Sequence, residues 1–224
     1  EAGGVSSETS GTLTVEGLNA PVIATTALPS GSTQKMYGTT ETGTGAQGFQ
    51  IEASPSNGGT LKFTAEGLPA GMTLSESGFL AGTPGEDDFS LYETEKTYPV
   101  AITVTETVTV GDSGASGSGI TLTKEAKATL DLKITKTLRF TTEELEPLVL
   151  DTYFGQYIKT NYSNSSLSWS ITYGEGSIIN GTDENTWFSS GYLSGLPKSL
   201  GSYSFTVTVK AADGQTVSRT FEGE

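Results

Sequence analysis

The chain has 224 residues, with no Cys and no His, and its 26 acidic side chains against 12 basic ones give a formal net charge of −14. Without Cys or His, disulfides, thiolate nucleophiles, imidazole metal ligands and Ser-His-Asp catalysis are excluded. The acidic excess disfavours nucleic acid and anionic membrane surfaces as partners, and no apolar run is long enough to span a bilayer.

Residues 1–17 start with a small, polar stretch, Glu1–Gly11, expected to be a flexible tail. Thr12-Leu13-Thr14-Val15 alternates briefly and reads as an edge strand or as the end of a preceding module. No basic, apolar leader opens the sequence, so secretion is inferred from the type of module alone. Pro21–Thr26 reads as a first strand, ended by Leu28-Pro29-Ser30-Gly31. Phe49–Ala53 and Thr60–Ala65 read as strands flanking a turn marked by Asn57-Gly58, a strong local hairpin signal.

Gly67–Leu74 is extended, and Ser77-Gly78-Phe79-Leu80-Ala81-Gly82-Thr83-Pro84 predicts a short strand that stops at a turn. Tyr98–Val110 is a long alternating strand. The Gly/Ser run Gly111–Gly119 has linker composition, but Thr129-Leu130-Asp131-Leu132-Lys133-Ile134 alternates strictly and suits a strand returning beside Tyr98–Val110. The run is therefore expected to be a long hairpin loop, with the domain boundary near Lys136.

Thr137-Leu138-Arg139-Phe140 opens a second copy of the plan. Glu143–Leu150, preceded by Thr142, suggests one helical turn with acidic first-turn residues. Leu167–Thr172 stands where Leu61–Ala65 stood, and Ser163–Ser166 replaces the Asn-Gly turn. The short motif recurs as Ser190-Gly191-Tyr192-Leu193-Ser194-Gly195-Leu196-Pro197, and the alternating strand as Tyr203–Val209, closed by Asp213-Gly214. Gly82 and Gly195 are read as bends that a side chain would obstruct, and Pro84 and Pro197 as stops to pairing. The offset between Gly82 and Gly195 is 113 residues and that between Tyr98 and Tyr203 is 105, so the first copy carries about eight extra residues in the acidic loop Gly85–Lys96.

A repeated unit of about a hundred residues predicts an all-β chain of two tandem β-sandwiches, residues 18–136 and 137–224. Gly67-Leu68-Pro69-Ala70-Gly71-Met72-Thr73-Leu74, Ser77–Pro84 and the Tyr-led strand resemble the Ig-like, cadherin-like (dystroglycan-type) modules of bacterial surface proteins. The second copy is similar through Gly191–Pro197, Gly201–Val209 and Asp213-Gly214, although Tyr173–Ile179 replaces the Leu-Pro-x-Gly element. The resemblance covers residues 18–224. It implies a monomeric, non-catalytic structural or adhesion segment of a secreted or cell-surface bacterial protein, with a protein or a glycan as ligand. The alternative is a carbohydrate-binding module attached to a secreted hydrolase.

No catalytic, cofactor-binding or metal residues are assigned. Glu86, Asp87, Asp88, Glu93 and Glu95 are adjacent loop acids, expected to be solvated rather than paired across a cleft. No cofactor is expected. A structural Ca²⁺ is the alternative, with Asp87, Asp88, Asp183, Glu184, Asn185 and Asp213 as possible oxygen donors, but no Asp-x-Asp-x-Asp run occurs. Trp187-Phe188, with Tyr153, Phe154, Tyr157, Tyr162 and Tyr173, are the aromatics that would stack on sugar rings if exposed. Trp169 is read as core, and Trp187 as core or interdomain packing. The loop Glu86–Glu95 and the ribbon around Gly111–Gly119 are the expected recognition surfaces.

Overall fold

The computed structural model describes residues 17–38, 47–110, 120–181 and 186–224. The readings made for Glu1–Gly11, Thr12–Val15, Gly111–Gly119 and Asp183–Asn185 lie outside them. The described residues are all-β, with a single 3-10 turn at Asn164–Ser166.

The first nine strands are β1 (Val22–Ile23), β2 (Gly31–Ser32), β3 (Phe49–Gln50), β4 (Ala53–Ser54), β5 (Thr60–Glu66), β6 (Met72–Leu74), β7 (Phe79–Gly82), β8 (Glu95–Val110) and β9 (Ile120–Thr135). The remaining six are β10 (Phe154–Tyr157), β11 (Leu167–Tyr173), β12 (Thr186–Ser189), β13 (Tyr192–Gly195), β14 (Tyr203–Ala211) and β15 (Thr216–Gly223). One sheet runs β2-β9-β8-β5 and faces β3-β7-β6, with the pair β1-β4 alongside. A second sheet, β11-β14-β15, faces β10-β13-β12. The order of the second sandwich repeats the first, with β11, β14 and β15 in the places of β5, β8 and β9.

Period-two alternation builds each core. Tyr98, Val100, Ile102 and Val104 of β8 point inward to meet Phe63, Leu80, Leu130, Leu132 and Ile134. Tyr203, Phe205, Val207 and Val209 of β14 do the same with Ile158, Leu193 and Phe221. Each such side chain, fully buried, contributes about 1.5–3 kcal/mol. β8 and β9 pair antiparallel over their full length, from Glu95↔Thr135 to Val110↔Ile120. The second and last strands of this half, β2 and β9, meet in parallel, Gly31↔Ile134 and Ser32↔Thr135. Thr33 extends that contact, its amide donating to the Thr135 carbonyl at 2.9 Å.

One glycine in each motif lies beneath an aromatic ring. A Cβ on Gly78 would sit 3.0 Å from the Phe63 ring, and one on Gly191 would sit 3.1 Å from the Trp169 indole. Both glycines have positive φ, +86° and +82°. Gly82 makes the expected bend at φ +125°, where a Cβ would lie 2.2 Å from the Gly71 carbonyl oxygen. Gly195 has no positive φ, so the bend at Gly82 is not repeated there.

Three local expectations need correction. Asn57-Gly58 does not close a hairpin, because β5 pairs with β8 and not with β4. The loop crosses between the two sheets and wraps the carboxylate of Glu106, a fully buried residue on the inward face of β8. That carboxylate accepts from the amides of Ser56 (2.9 Å), Asn57 (2.8 Å) and Gly59 (3.0 Å) and from Asn57 Nδ2 (2.9 Å). Second, the Pro21–Thr26 strand shrinks to β1, and Phe49–Ala53 breaks into β3 and β4. The chain changes partners at Ile51, whose amide donates to the Gly78 carbonyl at 2.8 Å. Third, Glu143–Leu150 contains no helix. Pro147 lacks the amide a helix would use, and the backbone of Glu146 is taken on both sides by Gln156. Its amide donates to Oε1 at 2.7 Å and its carbonyl accepts from Nε2 at 3.0 Å. Thr142, expected as a cap, instead accepts from the Lys159 amide at 2.8 Å.

Candidate functional site

Two places bring chemistry-bearing side chains together: the junction between the cores, and an aromatic row on the outer face of the β10-β13-β12 sheet.

The junction is built around residues 136–139. The Lys136 amide donates to the Thr94 carbonyl at 2.8 Å, and the Lys136 carbonyl accepts from Gln215 Nε2 at 2.8 Å and from the Tyr162 hydroxyl. The Thr137 amide donates to Thr33 Oγ1 at 2.9 Å, and its carbonyl accepts from Asn161 Nδ2 at 2.9 Å. The Leu138 amide donates to Gln215 Oε1 and the Arg139 amide to Asn161 Oδ1, both at 2.9 Å. Asn161 and Gln215 thus use both ends of their amides on the connector. Buried polar backbone so satisfied has little reason to open.

The start of the acidic loop closes over this connector, so Glu86 departs from the expectation of solvated acids, whereas Asp87, Asp88, Glu93 and Glu95 are exposed. Glu86 is only 15% exposed in its side chain, pairs with Arg139 and accepts from Asn161 Nδ2 at 3.0 Å. The Leu91 carbonyl accepts from the Ser163 amide at 3.1 Å. Lys136, buried, donates to the Ser90 carbonyl at 3.0 Å and lies 5.6 Å over the Tyr162 ring. Burial holds its ammonium below the usual lysine range, opposed by the attraction of Glu86. Burial also pushes the Tyr162 phenol up, with Asp213 adding to the effect.

Of the other acids, Glu93, Glu95, Asp88 and Asp213 each have a partner. Glu93 accepts from the Ser90 amide at 2.7 Å, which holds its carboxyl below the ordinary range. Glu95 pairs with Lys133 at 2.6 Å, and Asp88 accepts from the Tyr98 hydroxyl at 3.4 Å. Burial, then Asp88, raises the Tyr98 phenol. Asp87 is exposed. Asp213 accepts from the Gln215 amide at 3.0 Å and lies 3.2 Å from the Tyr162 hydroxyl. Among the described residues no group of three or more Asp or Glu is placed to hold a metal ion.

The second place corrects the reading of Trp187, which is neither core nor junction but 58% exposed. Its strand neighbour Phe188 points inward to an edge contact with Trp169 at 6.3 Å. Trp169 is partly buried against the second core, as expected, and its buried Nε1 has no partner among the described residues. Tyr157, 60% exposed, stands opposite Tyr192 in the register of β10 and β13. The Tyr157 and Tyr192 centroids are 4.7 Å apart, and Trp187 and Tyr192 6.0 Å apart. Of the other aromatics named from sequence, Tyr153 is exposed outside the row, Phe154 and Tyr173 pack on the second core, and Tyr162 is buried at the junction. Tyr192 had figured only as a fold residue. Its place in the row follows from strand register, which no local signal reveals.

No family model matches the chain, and no curated protein does. Among solved structures it is similar to Drosophila N-cadherin EC1-4, at 15% identity and a TM-score of 0.36, covering 92% of this chain and 49% of that one. Mouse protocadherin-24 EC1-3 is similar at 15% identity and 0.34, covering 90% and 69%. The human desmocollin-1 ectodomain is similar at 13% identity and 0.32, covering 91% and 41%. The chain therefore spans about half the length of the first of these.

Proposed function

We propose that the chain is a pair of β-sandwich domains, residues 18–136 and 137–224, that serves as a non-catalytic spacer and adhesion segment outside a cell, on a bacterial surface or secreted protein. The observation that supports this is the connector, whose polar backbone is claimed by Thr33 and Thr94 on one side and by Asn161, Tyr162 and Gln215 on the other. A spacer must hold its successive units at a fixed angle, and this junction uses side-chain amides and the Glu86–Arg139 pair to do so. No divalent ion is needed. NMR relaxation tests the reading: both halves should show one shared rotational correlation time, unchanged by EDTA. Separate correlation times would overturn it. A carbohydrate-binding module is the second reading, favoured by the row in which exposed Trp187 and Tyr157 flank the half-buried Tyr192.

A further inference from the structure

We infer that the face formed by Trp187, Tyr192 and Tyr157 is a binding site for a soluble, uncharged oligosaccharide. The inference deepens the adhesive half of the function proposed above and rests on it for the surface being displayed outside a cell.

The row is built rather than accidental. Phe154, Leu193 and Phe188 alternate with the outward residues and anchor the sheet on the second core. The strand beneath Tyr192 carries Gly155, where a Cβ would lie 2.0 Å from the Tyr192 hydroxyl. The missing side chain lets the half-buried Tyr192 ring lie down across β10. Tyr157 then borders a groove of about 470 Å³, whose lining includes Thr142, Glu144, Glu146 and Lys159. Exposed ring faces beside hydroxyl, carboxylate and amine groups suit a ligand that is apolar on its ring faces and hydroxylated at its edges. A sugar chain has that pattern.

Shape and charge narrow the class. The rings are tilted by 51° and 62° to one another, so they do not make one flat platform. A row that is not coplanar suits a single twisted chain and not a flat crystalline polysaccharide. The formal charge of −14 and the two glutamates at the groove repel uronic or sulfated chains. Three rings fall short of the roughly 800 Å² on each side that a standard protein interface buries.

The experiment is an NMR titration of the 224-residue chain with soluble neutral gluco-, manno-, galacto- and xylo-oligosaccharides, with sulfated and uronic chains alongside. At least one neutral chain should move the Trp187 indole N–H and the amides of β10, β12 and β13, leaving the half-buried Trp169 indole in place. Trp187→Ala should weaken that binding by about fivefold or more with unchanged thermal stability. Gly155→Ser, which lifts Tyr192, should weaken it similarly. A neutral panel that leaves the row unmoved, binding that survives Trp187→Ala, or equal binding of acidic chains would overturn the inference. So would capture of crystalline polysaccharide by the same face. None of these outcomes bears on the correlation-time test, so the spacer reading stands or falls separately.

Discussion

Glu86 reaches from the loop above the first core to the guanidinium of Arg139 in the connector, while its other carboxylate oxygen takes the Asn161 amide. One side chain thereby binds a charged and a neutral donor across the junction. Arg139 is about half exposed, so screening limits the ionic part. A double-mutant cycle of Glu86→Gln and Arg139→Gln, followed by urea unfolding, should give a coupling of about 0.5–1 kcal/mol that shrinks in high salt.

Tyr162→Phe removes the hydroxyl that donates to the Lys136 carbonyl and accepts from Gln215 Nε2. The ring still fills its place, so the cost is the lost hydrogen bonding, about 1–2 kcal/mol by denaturant unfolding. Backbone amide exchange at residues 136–139 should accelerate in the same variant, since the carbonyl it served anchors the connector.

Glu106 makes the first half acid-sensitive. Burial alone would raise its carboxyl, but the donors from Gly59, Ser56 and Asn57 prevail and hold it below the ordinary 4.5. Its stabilising contribution is therefore complete above pH 4.5 and disappears as pH falls through the lower, folded value. Glu106→Gln should lower the melting temperature at neutral pH and flatten the loss of stability on acidification. Melting curves from pH 7 to about pH 3 compare the two chains.

Glycine substitutions should separate two costs. Gly82→Ala forces a Cβ to within 2.2 Å of the Gly71 carbonyl at φ +125°, and should cost about 2 kcal/mol or more. Gly214→Ala has open space and φ +92°, so only the backbone preference is lost, about 1 kcal/mol. Equal destabilisation of the two would show that the approach of residues 71 and 82 is looser than described.

The strands with long alternation were legible from residue pattern, because Tyr98–Val104 and Leu130–Ile134 each fix an inward face and so fix Tyr98 opposite Leu132. The same phase places Glu106 inward, two residues beyond Val104. Partner choice was not legible. Asn57-Gly58 favours a tight turn locally, but which strands it joins depends on β8, forty residues on. Trp187 lies in a four-residue strand, too short for its pattern to say which of Trp187 and Phe188 faces in. Glu86 reads as solvated from sequence because its cation, Arg139, is distant along the chain and meets it only after β9 returns.

The parallel contact of Gly31–Ser32 with Ile134–Thr135, extended by Thr33, has a mechanical meaning for anything tethered at both ends. Stretching the molecule pulls these two segments in opposite directions along their length, so their cross-links are strained together rather than unzipped one by one. Rupture under force should begin there, at a patch far smaller than the hydrophobic interior it guards, and it should come abruptly.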